Sequence, residues 1–417
     1  MRKAMSETHT LDRVPFHLRP FVVEQDYSAY NEMDQAVWRF VLLHTGAHLK
    51  DTAHPAYRRG LSDTGISVER IPRIAYMDTC LSHFGWGAVC VDGFIPPRAF
   101  QEFLRLAILP IAADIRSRDQ LPYTPAPDII HESAGHSPIL VDPGYAAFLK
   151  KSGEVGSKAF SCPYDARLYN AIFDLSETKG NPNATAAEIA RAEANLSARV
   201  EEKHDLSEAA RLARFYWWTV EYGLVGTLDD YQIYGAGLLS SLGESHISHI
   251  HQVEKRKLSL ECLETGYDIT RTQPQLFVAE SFEQLNEVLE QAAETMAYRQ
   301  GGLKALSIAL SSQEVATTVL NSGMQIIAEL SHATVEQDTV HLIAYKGPVA
   351  LAENDRIVVS AADANCLAQE YLLPLGRLAD GEEPSDQSES EFRKRYLTSD
   401  AKLHLKYRSG MQVKGQT

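Results

Sequence analysis

Apolar residues recur at helical spacing through most of the chain, in segments cut short by Pro and Gly. Asp34-Gln35-Ala36-Val37-Trp38-Arg39-Phe40-Val41-Leu42-Leu43 and Pro97-Arg98-Ala99-Phe100-Gln101-Glu102-Phe103-Leu104 are two of them. This period predicts a mainly α body over residues 1–300. Thr185 and Glu188 form a capping-box pattern ahead of Ile189, Ala192, Leu196 and Val200, which share one helical stripe. A helical hairpin packed against the body is therefore predicted in the helical stretch at about 178–210. Past Gly301-Gly302 the texture changes. Gly323-Met324-Gln325-Ile326-Ile327-Ala328-Glu329-Leu330 and Thr339-Val340-His341-Leu342-Ile343-Ala344-Tyr345 are short, β-branched and bounded by turn residues, with Gly347-Pro348 read as a turn between strands. A small β-rich domain is predicted at 301–380. Residues 381–391 are acidic and polar without core positions, so 381–417 reads as an acidic linker and C-terminal tail.

The 417 residues are 44% hydrophobic and 23% charged, ordinary for soluble globular domains. Net charge is −15, and no basic run exceeds Lys255-Arg256-Lys257 or Arg393-Lys394-Arg395, which argues against a nucleic-acid or anionic-membrane surface and favours small-molecule chemistry. The 5 cysteines are odd in number and form no CxxC pair, as suits a reducing compartment. The first residues lack an apolar signal region, and no run of about 18 apolar residues occurs. A cytoplasmic location is expected.

Chemistry concentrates in Pro127-Asp128-Ile129-Ile130-His131-Glu132-Ser133-Ala134-Gly135-His136-Ser137-Pro138, read with Trp217-Trp218-Thr219-Val220-Glu221 downstream. Two imidazoles and a carboxylate are the ligand set of a mononuclear non-haem iron site, which covers one face of the metal and leaves the others open. The histidines stand five apart, not four as in the zinc-protease pattern. Five residues turn about 140° on a regular α-helix. Both rings reach one metal only where the helix bends or ends, and Gly135 and Pro138 are read as that break. Asp128, three before His131, is placed to reach the far nitrogen of that ring and fix its tautomer. Glu221 follows Tyr216-Trp217-Trp218, too aromatic a run for a solvated face, and a buried acid there needs a cation or a partner. His246, His249 and His251 also cluster, but no matching carboxylate pattern accompanies them.

These motifs stand in order with Val14-Pro15-Phe16-His17-Leu18-Arg19-Pro20-Phe21, Gly93-Phe94-Ile95-Pro96-Pro97, Tyr123-Thr124-Pro125-Ala126-Pro127-Asp128, Tyr234-Gly235-Ala236-Gly237-Leu238-Leu239-Ser240-Ser241 and Val278-Ala279-Glu280-Ser281-Phe282. From about Val14 to Arg299 the chain resembles the pterin-dependent aromatic amino acid hydroxylases, and among them the long bacterial phenylalanine-hydroxylating branch. The resemblance implies a mainly α catalytic fold of that family over 1–300, to which the small β-rich C-terminal domain is an addition. It implies Fe(II) held by His131, His136 and Glu221, and a tetrahydropterin, either tetrahydrobiopterin or a related bacterial pterin. Phe100 is then the stacking platform, Glu132 a hydrogen-bond partner through water, and Ala213 a neighbour of the pterin's side chain. For the substrate it implies Arg116 at the carboxylate, where a guanidinium fork suits, Thr124 and Ser240 at the polar end, and Tyr123 and Trp217 as walls around the ring. Glu132, Tyr216 and Asp128 are implied around the reacting centre. The chain departs from the animal members in a shorter loop between Gly93 and Phe100, in Pro110 where they carry a histidine, and in the longer path from His136 to Glu221.

The implied reaction is hydroxylation of L-phenylalanine to L-tyrosine, with dioxygen as oxygen source and the tetrahydropterin as two-electron donor. Trp217 and Ile269 both favour phenylalanine, since an apolar Ile269 cannot hydrogen-bond a substrate hydroxyl. Hydroxylation of another aromatic amino acid, or at another ring position, is the alternative within the same chemistry. A zinc hydrolase with Glu132 as general base is a second alternative, disfavoured by the five-residue spacing. L-phenylalanine and dioxygen are the expected partners, without nucleic acid or membrane, and a homo-oligomer stays open.

Overall fold

The computed structural model describes residues 10–416 except 94, 122–126, 181–182, 203, 245–252, 268–271, 361, 363–368, 399 and 401. It divides into two units, one of residues up to Ala159 with Tyr164–Met296, the other of Phe160–Pro163 with Ala297–Thr417.

In the first unit, after the single turn α1 (Thr10–Arg13), the predicted long helix is α2 (Glu32–Thr52). The Asn31 side chain accepts from the N–H groups of Met33 and Asp34 while the Asp34 carboxylate accepts from the Asn31 N–H, so the helix starts where its first donors are satisfied. It buries Val37, Trp38, Val41, Leu42 and Leu49. Helices α3 (Pro55–Asp63) and α4 (Ile74–Ser82) follow. A pair of parallel strands, β1 (Gly87–Val91) and β2 (Ile108–Ala112), is buried throughout and joined by α5 (Pro97–Arg105). Val89, Val91, Phe103 and Ile108 close over Val14 and Leu18, with Phe100 half-buried at the edge of this cluster. A four-stranded sheet, in the order β4-β3-β6-β5, is built from β3 (Leu224–Gly226), β4 (Tyr231–Ile233), β5 (Glu254–Lys257) and β6 (Gln275–Ala279). Neither sheet was expected in the α body. The apolar runs of β1, β2 and β6, buried almost throughout, carry no period that separates strand from helix, while β3 and β4 are three residues long and β5 is a charged run.

Helix α6 (Pro143–Gly156) leads to a hairpin of α7 (Pro163–Gly180) and α8 (Ala186–Val200), which starts well before the predicted bounds of 178–210 and shares with them α8 and only the end of α7. Lys179 pairs with Glu193 at 2.9 Å, and the Tyr164 hydroxyl donates to the Arg199 carbonyl at 2.9 Å. The Thr185–Glu188 capping box is present, but α8 has no fully buried residue: Ile189, Ala192 and Leu196 are half-buried and Val200 is exposed. Then α9 (Glu208–Tyr216), α10 (Ala236–Leu239) and α11 (Phe282–Glu294) complete the unit.

The second unit opens with α12 (Ala297–Gln300) and α13 (Gly302–Ser312). An antiparallel sheet follows in the order β10-β9-β8-β7, with β11 also on β9. Its strands are β7 (Val315–Val319), β8 (Met324–Glu336), β9 (Thr339–Glu353), β10 (Arg356–Val359) and β11 (Glu370–Pro374). The turns are Gln337-Asp338 and Asn354-Asp355, all four residues at positive φ, as two-residue hairpins require. Gly347-Pro348 is not a turn. It lies inside β9, in a cis peptide, where the register on β8 shifts between Ile327 and Glu329, and a proline without an N–H is tolerated at such an irregularity. The acidic stretch expected as linker and tail is folded too. Ser388 and Glu391 cap α14 (Glu389–Tyr396), whose Phe392 and Tyr396 pack with Leu378, Leu405 and Tyr407 beside the hairpin of β12 (Lys402–Lys406) and β13 (Gln412–Gln416). Among the described residues, no helix is long and apolar enough to cross a membrane.

Candidate metal centre

Residues Ile130–His136 wind as a π-helix. In π winding the backbone bonds run from i to i+5, so residues five apart return to one face. His131 and His136 accordingly meet edge to face, with ring centroids 4.8 Å apart and their Nε2 atoms at 3.2 Å. The helix does end at His136, as expected ahead of Pro138, but the rings are brought together by the π winding before that end and not by a break at Gly135. Gly135 serves packing instead, since a Cβ there would sit 2.8 Å from the Ala236 carbonyl oxygen of α10. Pro138 begins the following 3-10 turn, Pro138–Val141.

A second π segment, Trp217–Glu221, continues directly from α9 and delivers the carboxylate. Glu221 Oε2 lies 3.2 Å from His131 Nε2 and Oε1 lies 3.2 Å from His136 Nε2. These three residues form a possible metal-ligand group among the described residues. Bonds of about 2.1 Å at right angles place ligand atoms about 3 Å apart, so the two Nε2 atoms and the Glu221 carboxylate, one oxygen toward each ring, form a triangle of ligand groups suited to one side of an ion. Burial pushes the Glu221 carboxyl up, but the two imidazoles outweigh it and hold the group well below the usual carboxylate range.

Polar atoms around this face lack protein partners. Glu132 Oε2, His136 Nδ1 and the Tyr216 hydroxyl are all buried and unbonded. Orphaned groups are rare in folded proteins, and their clustering here marks where a non-protein partner belongs. Burial pushes the Glu132 carboxyl up to about 8, opposed by His136 and reinforced by Glu221.

The ring of His131 is held by Ser240, not by Asp128. Ser240 Oγ donates to the Ala236 carbonyl at 2.8 Å and lies 3.0 Å from His131 Nδ1, so its oxygen accepts from Nδ1–H and the Nε2 lone pair is left toward Glu221 and His136. Asp128 touches only the His131 backbone, accepting its N–H at 3.0 Å. Asp128 stands ahead of the π-helix and its side chain turns to Arg116 instead: Arg116 Nε donates to Oδ2 at 2.8 Å, Nη2 to Oδ1 at 2.7 Å, and the Arg116 backbone N–H to Oδ2 at 2.9 Å. Burial pushes the Asp128 carboxyl up, but Arg116 more than compensates and holds it low. Arg116 Nη1 rests on the Ser240 carbonyl at 3.3 Å.

Of the other expected site residues, Phe100 stands edge-on to Tyr216 at 5.9 Å, and Ala213 is exposed on α9 one turn before Tyr216. Trp217 is sandwiched between Tyr222 at 4.7 Å and Tyr267 at 4.4 Å, and its Nε1 donates to Gln273 Oε1 at 3.4 Å. Tyr222, Tyr267 and Gln273 were not singled out in the sequence, where only their neighbourhood to motif residues could have flagged them. Tyr123, Thr124 and Ile269, and the cluster His246, His249 and His251, lie outside the described residues.

The family model of biopterin-dependent aromatic amino acid hydroxylases matches residues 26–205 and 203–343. The phenylalanine-4-hydroxylase of Ralstonia nicotianae is 31% identical over 273 residues, covering 64% of this chain and 73% of the relative. That of Pseudomonas aeruginosa is 28% identical over 267 residues, 63% of this chain and 84% of the relative. Among solved structures, cobalt-bound phenylalanine hydroxylase from Chromobacterium violaceum superposes with a TM-score of 0.51 at 26% identity, covering 68% of this chain and 94% of that one. The same enzyme with bound iron(III) and the oxidised cofactor 7,8-dihydrobiopterin gives 0.51 at 25% identity over the same shares.

Proposed function

The chain belongs to the biopterin-dependent aromatic amino acid hydroxylases, and we infer that it hydroxylates L-phenylalanine to L-tyrosine with dioxygen and a tetrahydropterin at a mononuclear iron(II) site. The observation that carries this reading is the triangle of His131, His136 and Glu221 with its 3.2 Å edges. Iron(II) on that face and the pterin beside it supply the activation of dioxygen and the two electrons; the chain supplies binding, orientation and exclusion of water. Ser240 holds His131 in the tautomer that offers Nε2. Phe100, edge-on to Tyr216, stacks on the pterin, with Glu132 Oε2 as its hydrogen-bond partner through water and Ala213 beside its side chain.

For the amino acid, Arg116 is the carboxylate's cation. Asp128 fixes the guanidinium by Nε and Nη2 and the Ser240 carbonyl takes one N–H of Nη1, so the remaining N–H groups of Nη1 and Nη2 are those offered. Trp217, clamped by Tyr222 and Tyr267, forms a wall around the substrate ring; by the resemblance Tyr123 is a further wall, Ile269 favours phenylalanine, and Thr124 and Ser240 serve the polar end. The first unit is the catalytic domain, and the enzyme works in the cytoplasm on free phenylalanine. The zinc-hydrolase alternative falls with the family membership. The test is anaerobic loading with iron(II), then addition of a tetrahydropterin, dioxygen and each aromatic amino acid in turn, with products identified by mass and ring position. Tyrosine formed from phenylalanine only when pterin and iron are present is the expected result. Full activity with zinc in place of iron, or a product hydroxylated elsewhere on the ring, overturns it.

A further inference from the structure

We propose that β7 is a self-complementary edge at which the chain pairs with a second copy of itself, strand against antiparallel strand. β7 ends the sheet of the second unit and pairs with β8 on one side only. The ladder fixes which backbone groups face outward. Leu320 donates its N–H to the Met324 carbonyl at 2.9 Å and accepts from the Gly323 N–H at 2.9 Å, so both its groups face β8. Direction alternates along an antiparallel strand, so Ala316 and Thr318 also face β8, and Val315, Thr317 and Val319 turn N–H and C=O away from the sheet. Among the described residues, nothing bonds these outward groups. The side chains of the same three residues are exposed, Val315 at 57% and Val319 at 63%, while Ala316 is buried in the core.

Open edges of this kind are ordinarily blunted by charge, proline, a bulge or a covering segment. Here the register on β8 is regular from Val315 to Val319. Residues 315–323, Val-Ala-Thr-Thr-Val-Leu-Asn-Ser-Gly, carry no charge in a chain whose net charge is −15, so this stretch escapes the repulsion that two acidic copies otherwise impose. The occupant follows from the symmetry of the sequence. About Thr317 the strand is close to a palindrome: a two-fold sets Thr317 opposite Thr317, Val315 opposite Val319 and Ala316 opposite Thr318 of the second copy. In that register every outward residue falls in a hydrogen-bonded pair that exchanges both its bonds. The exposed pairs are Val–Val and Thr–Thr, both favourable across strands. Glu314, the nearest charge, falls opposite Leu320 and not another carboxylate. The interface is isologous, one patch used by both subunits.

Sedimentation velocity of the full chain over a concentration series is expected to show a reversible dimer. Thr317→Pro removes only an outward N–H, which spares the β7–β8 ladder and breaks the new one. It is expected to raise the dimer Kd at least about tenfold, with far-UV circular dichroism and hydroxylase activity unchanged. Val315→Lys or Val319→Glu alone is expected to weaken the dimer, and the double variant V315K/V319E to restore it. The two positions are about 13 Å apart along one strand, so the introduced charges meet only across the two-fold. A chain that stays monomeric at every concentration overturns the proposal. So does a dimer indifferent to Thr317→Pro and to the single charges, or one that the double variant fails to restore.

Discussion

Ser240 decides which nitrogen of His131 faces the metal, because its hydroxyl is already committed as donor to Ala236 and can only accept from Nδ1–H. Ser240→Ala is expected to weaken iron(II) binding by about 10–100-fold, the usual cost of losing such a supporting contact, while Ser240→Thr keeps most of it. Iron titration followed by competition with a chelator measures this, and unchanged affinity in the alanine variant refutes the role. Gly135→Ala is expected to destabilise the first unit by about 1–3 kcal/mol, since the new methyl meets a backbone carbonyl of α10 that cannot swing aside. A thermal melt unmoved by that substitution contradicts the close approach. At this scale the ligands were legible because few residue types bind iron: His131, His136 and Glu221 stand together as expected. The partner of Asp128 was not legible. Its partner, Arg116, stands twelve residues earlier, and no local spacing announces a pair made across that distance.

Among the elements, the two π segments do the same work from opposite sides: each rotates a ligand toward the centre without breaking its helix. The hairpin of α7 and α8 is different in kind. Because α8 buries no side chain fully, its stability rests on its cap and on a few ion pairs. Thr185→Ala is expected to cost about 1 kcal/mol of local helix stability. Hydrogen exchange should quicken in α8 while iron affinity stays unchanged; slower turnover would show that the hairpin supports the site. α2 was readable from its helical period, and α8 from its cap and stripe. The buried pair β1 and β2 was not, since strands apolar on both faces have no alternation to read. Gly347-Pro348 misled for a related reason, as the same dipeptide marks turns and strand irregularities alike.

For the whole molecule, the metal-ligating group found among the described residues lies in the first unit. Iron(II) at about 100 times its Kd is expected to stabilise that unit by about 2.7 kcal/mol and to leave the second unit's transition in place. Calorimetry with and without the metal separates the two; a second-unit transition that shifts equally would show that the units unfold together. The division also places Phe160–Pro163 in the second unit, although the chain returns to the first at Tyr164. Phe160 packs into the apolar core beneath β7, β8 and β9, and the Ser161 hydroxyl donates to Glu314 at 2.5 Å. The two units are thus stitched by more than one passage of the backbone. A protease nick between Met296 and Gly302 would leave Phe160–Pro163, a part of the second unit's fold, on the other fragment. Ribosomal synthesis meets the same arrangement in reverse: the early loop has to wait, its phenylalanine exposed, until the last third of the polypeptide emerges to receive it.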